Sequence, residues 1–231
     1  MRRFVLGAML TLVAAAGSAA ALDGDVERGR GIVVGAASAG RDAPVGQDLS
    51  CLGCHGIAGA GDAKAAYPRL AGLAPFYLYK QLKDYAAGHR RSPAMEPIAR
   101  ALDEQAMRDV AAYYAAQAPA DGPFPAAAPE VLALGRTIAG EGLPERGVQP
   151  CAACHGPRGL GSPPALPHLA GQHASYLADQ LVQWKRGTRR NDPLGSMAVI
   201  AGRLTDGEIR AVAAWYAAQP PSGPFRPARF P

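Results

Sequence analysis

Several things are scarce in this chain. Aromatics make up 6% of the 231 residues and Trp occurs twice, so there are few rings on which nucleic-acid bases stack. Charged residues reach only 19%, and the basic ones are scattered, which excludes a nucleic-acid surface. No segment alternates apolar and polar residues convincingly, which argues against a sheet. Beyond residue 21 no apolar run approaches the ~20 residues of a spanning helix. The rest of the chain therefore holds no integral membrane segment, although peripheral membrane association stays open to it. Cysteine is scarce too, with four residues in all, so their arrangement carries weight.

Those four residues fall into two copies of one pattern, Cys51-Leu-Gly-Cys54-His55 and Cys151-Ala-Ala-Cys154-His155. C-x-x-C-H is the attachment signature of c-type haem. Two thiols one helical turn apart each form a thioether with the same porphyrin, and the next residue aims an imidazole at iron. Zinc ribbons space their cysteine pairs by roughly 15–20 residues, whereas these lie about 100 apart. Two disulfides are the other alternative for an exported chain. Neither accounts for a His directly after both pairs. The expected cofactors are two haem c groups, held by Cys51, Cys54, Cys151 and Cys154, with His55 and His155 on iron.

The N-terminus supports export. Met1-Arg2-Arg3 precedes a nearly continuous apolar stretch from Phe4 to Ala16, then small residues from Ser18 to Ala21. This predicts a signal peptide over 1–21, with an uncleaved anchor as the alternative. The expected location is the periplasm, where thiols must stay reduced until they react with haem. Removing two arginines with the leader lowers the net charge from +5 to +3.

The chain repeats itself. Pro68-Arg-Leu-Ala-Gly72 matches Pro167-His-Leu-Ala-Gly171, and Tyr77-Leu78-x-x-Gln81-Leu82 matches Tyr176-Leu177-x-x-Gln180-Leu181. Val110 to Gln117 matches Val212 to Gln219, and the offset drifts only from 99 to 102. A duplicated domain follows, with copies at 22–120 and 121–231. A breaker-rich linker at about 118–129 joins them. Helices are expected over 25–34, 76–87, 129–140 and 175–186, ending at Gly88 and Gly187 in the second and fourth. The last helix of each copy starts at Asp103 or at Thr205-x-x-Glu208, a capping box. The fold class is all-α: two tandem small helical domains, each wrapped around a covalent haem.

The ligand opposite each His decides between carrier and enzyme. Met95 lies 40 residues after His55 and Met197 lies 42 after His155, each in a Pro-containing segment that we expect to loop across the porphyrin. Met107 aligns with Ile209 on an apolar helix face and reads as core. His89, His168 and His173 have no His counterpart in the other copy and read as surface or structural. The carbonyl of Pro68 or Pro167 is placed to accept the second ring N–H of the haem His, a plain turn being the alternative. The pairs Arg90-Arg91 and Arg189-Arg190 suit propionates through forked hydrogen bonds, or a solvated helix end.

Taken together, the two C-x-x-C-H motifs, the Pro-x-Leu-Ala-Gly segments, the Tyr-Leu-x-x-Gln-Leu helices ending in Gly-x-Arg and the Met segments resemble the diheme cytochrome c4 family. The resemblance covers almost the whole chain after the leader. It implies two class I cytochrome c domains about a pseudo-twofold axis, with His55/Met95 and His155/Met197 as axial pairs. It also implies single-electron transfer from a quinol-oxidising complex towards a haem–copper oxidase. Two departures stand out: an insert around Ala39–Pro44, and Leu73 where the second copy has Gln172. Two other functions fit the motifs. One is the diheme subunit of a dehydrogenase such as flavocytochrome sulfide dehydrogenase. The other is a haem enzyme, a peroxidase or a thiosulfate-oxidising enzyme, which needs an open iron.

Overall fold

The computed structural model describes residues 22–35, 51–120, 122, 127–164 and 166–221. The expected signal peptide, the insert around Ala39–Pro44, much of the linker and the tail from Ser222 lie outside the described residues. The first half holds α1 (Val26–Val33), α2 (Cys51–His55), α3 (Pro75–Ala86), α4 (Met95–Arg100) and α5 (Glu104–Ala116). The second half repeats the order with α6 (Pro129–Gly140), α7 (Ala152–His155), α8 (Ala174–Lys185), α9 (Ser196–Gly202) and α10 (Asp206–Ala217). No strand occurs among the described residues, only isolated bridges.

Local chemistry explains the ends of these helices. Asp25 and Asp103 accept from the backbone N–H three residues on, capping α1 and α5. Thr205 and Glu208 form a reciprocal capping box on α10. Gly88 and Gly187, just past α3 and α8, adopt left-handed φ values of 77° and 69°, which cost a residue with a Cβ.

Each core forms where the first and last helices of a half cross. A Cβ on Gly29 of α1 would lie 2.1 Å from the Asp109 carbonyl oxygen of α5, and one on Gly135 of α6 would lie 2.2 Å from that of Ala211 in α10. Glycine at both points lets the backbones touch. Around the first crossing pack Val33, Met107, Val110 and Tyr114, and around the second Ile138, Ile209, Val212 and Tyr216. Met107 is buried, as its place on the helix face predicts. Each such side chain contributes about 1.5–3 kcal/mol by leaving water.

The methionine segments differ from the expected loops. Met95 is the first residue of α4 and Met197 the second of α9. Side-chain acceptors nucleate these turns: Ser92 Oγ takes the Met95 N–H at 3.2 Å, and Asp192 Oδ2 takes that of Met197 at 2.8 Å. Pro97 sits in the first turn of α4, where its missing N–H costs nothing. The second copy's three extra residues fall in the turn before α9, which contains Pro193–Gly195.

The halves meet through equivalent residues. Arg90 and Arg189 form an isolated antiparallel bridge. Arg90 donates to Gln81 at 2.9 Å, Tyr176 at 2.9 Å and Gln180 at 2.5 Å. Arg189 returns the pattern, donating to Gln180 at 2.7 Å, Gln81 at 3.3 Å and Tyr77 at 3.5 Å. An approximate twofold axis therefore runs through this contact.

Candidate haem-binding sites

The short helix α2 brings Cys51, Cys54 and His55 together on about one turn, and α7 with its preceding residue does the same for Cys151, Cys154 and His155. Gly56 and Gly156 end these helices in the left-handed region. The Tyr114 hydroxyl then donates to the Gly56 carbonyl at 3.2 Å, and that of Tyr113 to Ile57 at 2.9 Å, tying the motif to α5. Cys51 packs against the first apolar core and Cys151 against the second. Burial pushes both thiols up to about 11, so they are neutral.

The repeated Pro-x-Leu-Ala-Gly segment has a visible purpose. The N–H groups of Leu70 and Ala71 bond to the Gly59 carbonyl, and those of Leu169 and Ala170 to Gly159. This strap carries the Pro68 carbonyl to 3.0 Å from His55 Nδ1, and that of Pro167 to 2.9 Å from His155 Nδ1. A carbonyl only accepts, so Nδ1 bears the proton and Nε2 keeps the lone pair. Both rings are buried, which lowers their basicity against the opposing pull of the carbonyl. Each His is thus a neutral imidazole in a fixed tautomer, the form that binds metal.

The arginine pairs divide. Arg90 and Arg189 are buried in the interface, each 3% exposed, with Tyr85 and Trp184 rings beneath their guanidinium groups. Arg91 instead pairs with Glu96 at 3.0 Å, and Arg190 Nε bonds the Gly187 carbonyl. No carboxylate pairs with Arg90 or Arg189 among the described residues. Arg90 Nε is buried there without a partner.

The three remaining histidines go separate ways. His89 is exposed. His173 Nε2 donates to the Ala60 carbonyl across the interface at 2.9 Å. His168 is buried, with its basicity pulled down to about 4, mainly by burial and then by Arg69. Gln172 and Arg69 form a further cross-domain contact that the repeat pattern marked only as a departure. The sequence signal was the mismatch of Leu73 with Gln172.

These residues fit haem c. The thiols are free, each His offers Nε2, and the buried Arg90 Nε keeps an unused N–H. No group of three or more His, Cys, Asp or Glu suited to a lone metal ion occurs among the described residues. The fold and sites define a c-type cytochrome with two covalent haems.

Known proteins place it further. The cytochrome c family model matches twice, over residues 45–116 and 148–217. The thiosulfate dehydrogenase electron acceptor of Thiomonas intermedia (strain K12) is 42% identical over 171 residues, covering 74% of this chain and 79% of that protein. Cytochrome c4 of Thiocapsa roseopersicina is 42% identical over 165 residues, covering 70% and 83%. Reduced recombinant cytochrome c4 from Pseudomonas stutzeri superimposes with a TM-score of 0.72 at 31% identity, over 85% of this chain and 99% of that one. An as-isolated thiosulfate dehydrogenase from Marichromatium purpuratum gives 0.75 at 40% identity, over 84% of this chain, which spans only 40% of that longer one. The chain belongs to the cytochrome c family, in its diheme cytochrome c4 branch, and is an electron carrier of that type.

Proposed function

We propose that this protein is a periplasmic carrier, not itself an enzyme, that accepts single electrons from a thiosulfate dehydrogenase and passes them towards a haem–copper oxidase. The observation that carries the carrier reading is that the same candidate ligands, His55 with Met95 and His155 with Met197, recur at equivalent places in two halves of the same fold. Bound haem supplies a one-electron centre in each half. The chain's residues do the rest. His55 and His155 would ligate through Nε2, in the ring orientation that the Pro68 and Pro167 carbonyls fix. Met95 and Met197 would supply the second ligand in each half, which would exclude substrate from the metal. Arg90 and Arg189 would face propionates beside the interface. The domains are 22–120 and 121–231, behind a signal peptide at 1–21.

The thiosulfate link rests on relatives named as thiosulfate dehydrogenase electron acceptors. A quinol-oxidising complex is the competing donor. The test mixes the oxidised holoprotein with a thiosulfate dehydrogenase and thiosulfate, and in parallel with a quinol-oxidising complex and quinol, following the reduced α-band. Faster reduction in the first mixture is expected. Reduction only by the second would reassign the donor, and thiosulfate oxidation by the protein alone would make it an enzyme.

A further inference from the structure

The peptide group between Pro68 and Arg69 is bonded at both ends. Its carbonyl accepts His55 Nδ1–H at 3.0 Å, and its N–H donates to Oε1 of Gln172 at 2.8 Å. Gln172 belongs to the other half of the molecule. Its Nε2 also donates to the Arg69 carbonyl at 2.9 Å, and its Oε1 takes the His173 N–H at 3.0 Å, so the amide is fixed in orientation. Both Gln172 and Arg69 are almost fully buried, 3% and 4% exposed. Water does not compete for these bonds.

We infer that Gln172 is a positioning residue for the first haem, acting from the second half through the Pro68–Arg69 peptide on His55. Hydrogen bonds in series polarise one another, the more so in a low dielectric. An acceptor on the Arg69 N–H makes the Pro68 carbonyl more negative. A more negative carbonyl draws the Nδ1 proton harder and makes Nε2 a stronger donor to the metal. A stronger donor favours ferric iron and lowers the potential of that haem.

The relay runs one way. The residue equivalent to Gln172 is Leu73, which lies in the first apolar core and has no polar group to return the contact. His155 and Pro167 thus lack the second link. The ligand sets are alike, yet this feature pushes the two haems apart in potential. It also makes the first site sensitive to how the halves are docked.

The inference rests on His55 ligating iron. The experiment uses the diheme holoprotein and Gln172→Met, which keeps length and volume but removes the acceptor and donor. Potentials come from redox titration, assigned to each haem by its shifted methyl signals, with the His55 Nδ1–H resonance as a second readout. The first haem is expected to rise by about threefold in its one-electron equilibrium constant, ~28 mV at ~59 mV per tenfold. Its Nδ1–H signal moves upfield while that of His155 stays. If neither haem moves, or both move equally, the relay is wrong. Gln172→Glu keeps the acceptor and should lower the first haem more than the second; a rise there also overturns it. A wild-type protein without two low-spin haems would defeat the carrier reading itself.

Discussion

Three methionines follow the leader, and their side chains have different tasks. Met107 is 4% exposed and packs among Val110, Ala111 and Tyr114. Met95 and Met197 sit half-buried at the heads of α4 and α9, with their N–H groups held by Ser92 and Asp192. Their place, not their chemistry, separates the core residue from the two proposed ligands. Met197→Ala should open the second haem to carbon monoxide in the reduced protein and lower its potential, leaving the first unchanged. Met107→Ala should bind no carbon monoxide but lose about 2–5 kcal/mol of stability to a cavity. A Soret titration with carbon monoxide separates the two. An unchanged spectrum in Met197→Ala would remove that residue from the iron.

Among the helices, the repeat conceals unequal supports. In the first half Asp109 of α5 reaches α1, accepting from the Asp25 N–H at 2.7 Å and from Arg28 Nε at 2.8 Å. Ala211 stands at the same place in the second half and offers nothing similar. There the tie is Glu208, which caps α10 and receives Arg146 from the turn ahead of α7. The Arg146 hydrogen bond, helped by the Thr205 backbone and hydroxyl against burial, holds the Glu208 carboxyl down to about 2. The folded value lies below the unfolded one, so this support is complete above pH ~4.5 and disappears as pH falls towards 2. Glu208→Gln should therefore cost on the order of 1–2 kcal/mol at neutral pH and little near pH 2. Melting temperatures measured from pH 7 to 2 would show the variant converging on the parent in acid. A constant gap would put the effect in packing instead.

At the scale of the molecule, two arginines organise the pairing of the halves. Arg90 and Arg189 each donate to both Gln81 and Gln180, so each glutamine serves both domains. Further bonds are unsymmetrical: Ser175 reaches the Ala63 carbonyl at 2.6 Å and Lys80 that of Asn191 at 3.0 Å. Buried hydrogen-bonded charges tolerate the loss of a partner poorly. Arg90→Met should loosen the docking, raise the radius of gyration in X-ray scattering and slow exchange of electrons between the haems about tenfold. Unaltered scattering and exchange would show that the arginines serve the haems alone.

Much of this was written in the order of the residues. The C-x-x-C-H pairs, the repeat and the helix periodicities are local patterns, and local stereochemistry suffices to read them: thiols one turn apart, apolar faces at 3.6-residue spacing, caps at Asp103 and Thr205. Gly29-Arg30 and Gly135-Arg136 match in the sequence, but the reason for the glycines does not show there, because a close crossing brings together backbones about 80 residues apart. The two short helices bearing Met95 and Met197 carry no such local signal, since the acceptors of the Met N–H groups lie three and five residues upstream. Adjacent arginines looked alike until folding buried one of each pair and left the other in solvent. Gln172 read as a mere mismatch with Leu73. Only the docking of two duplicated halves sets its amide against the peptide that holds His55, because that contact joins residues 103 apart in the chain.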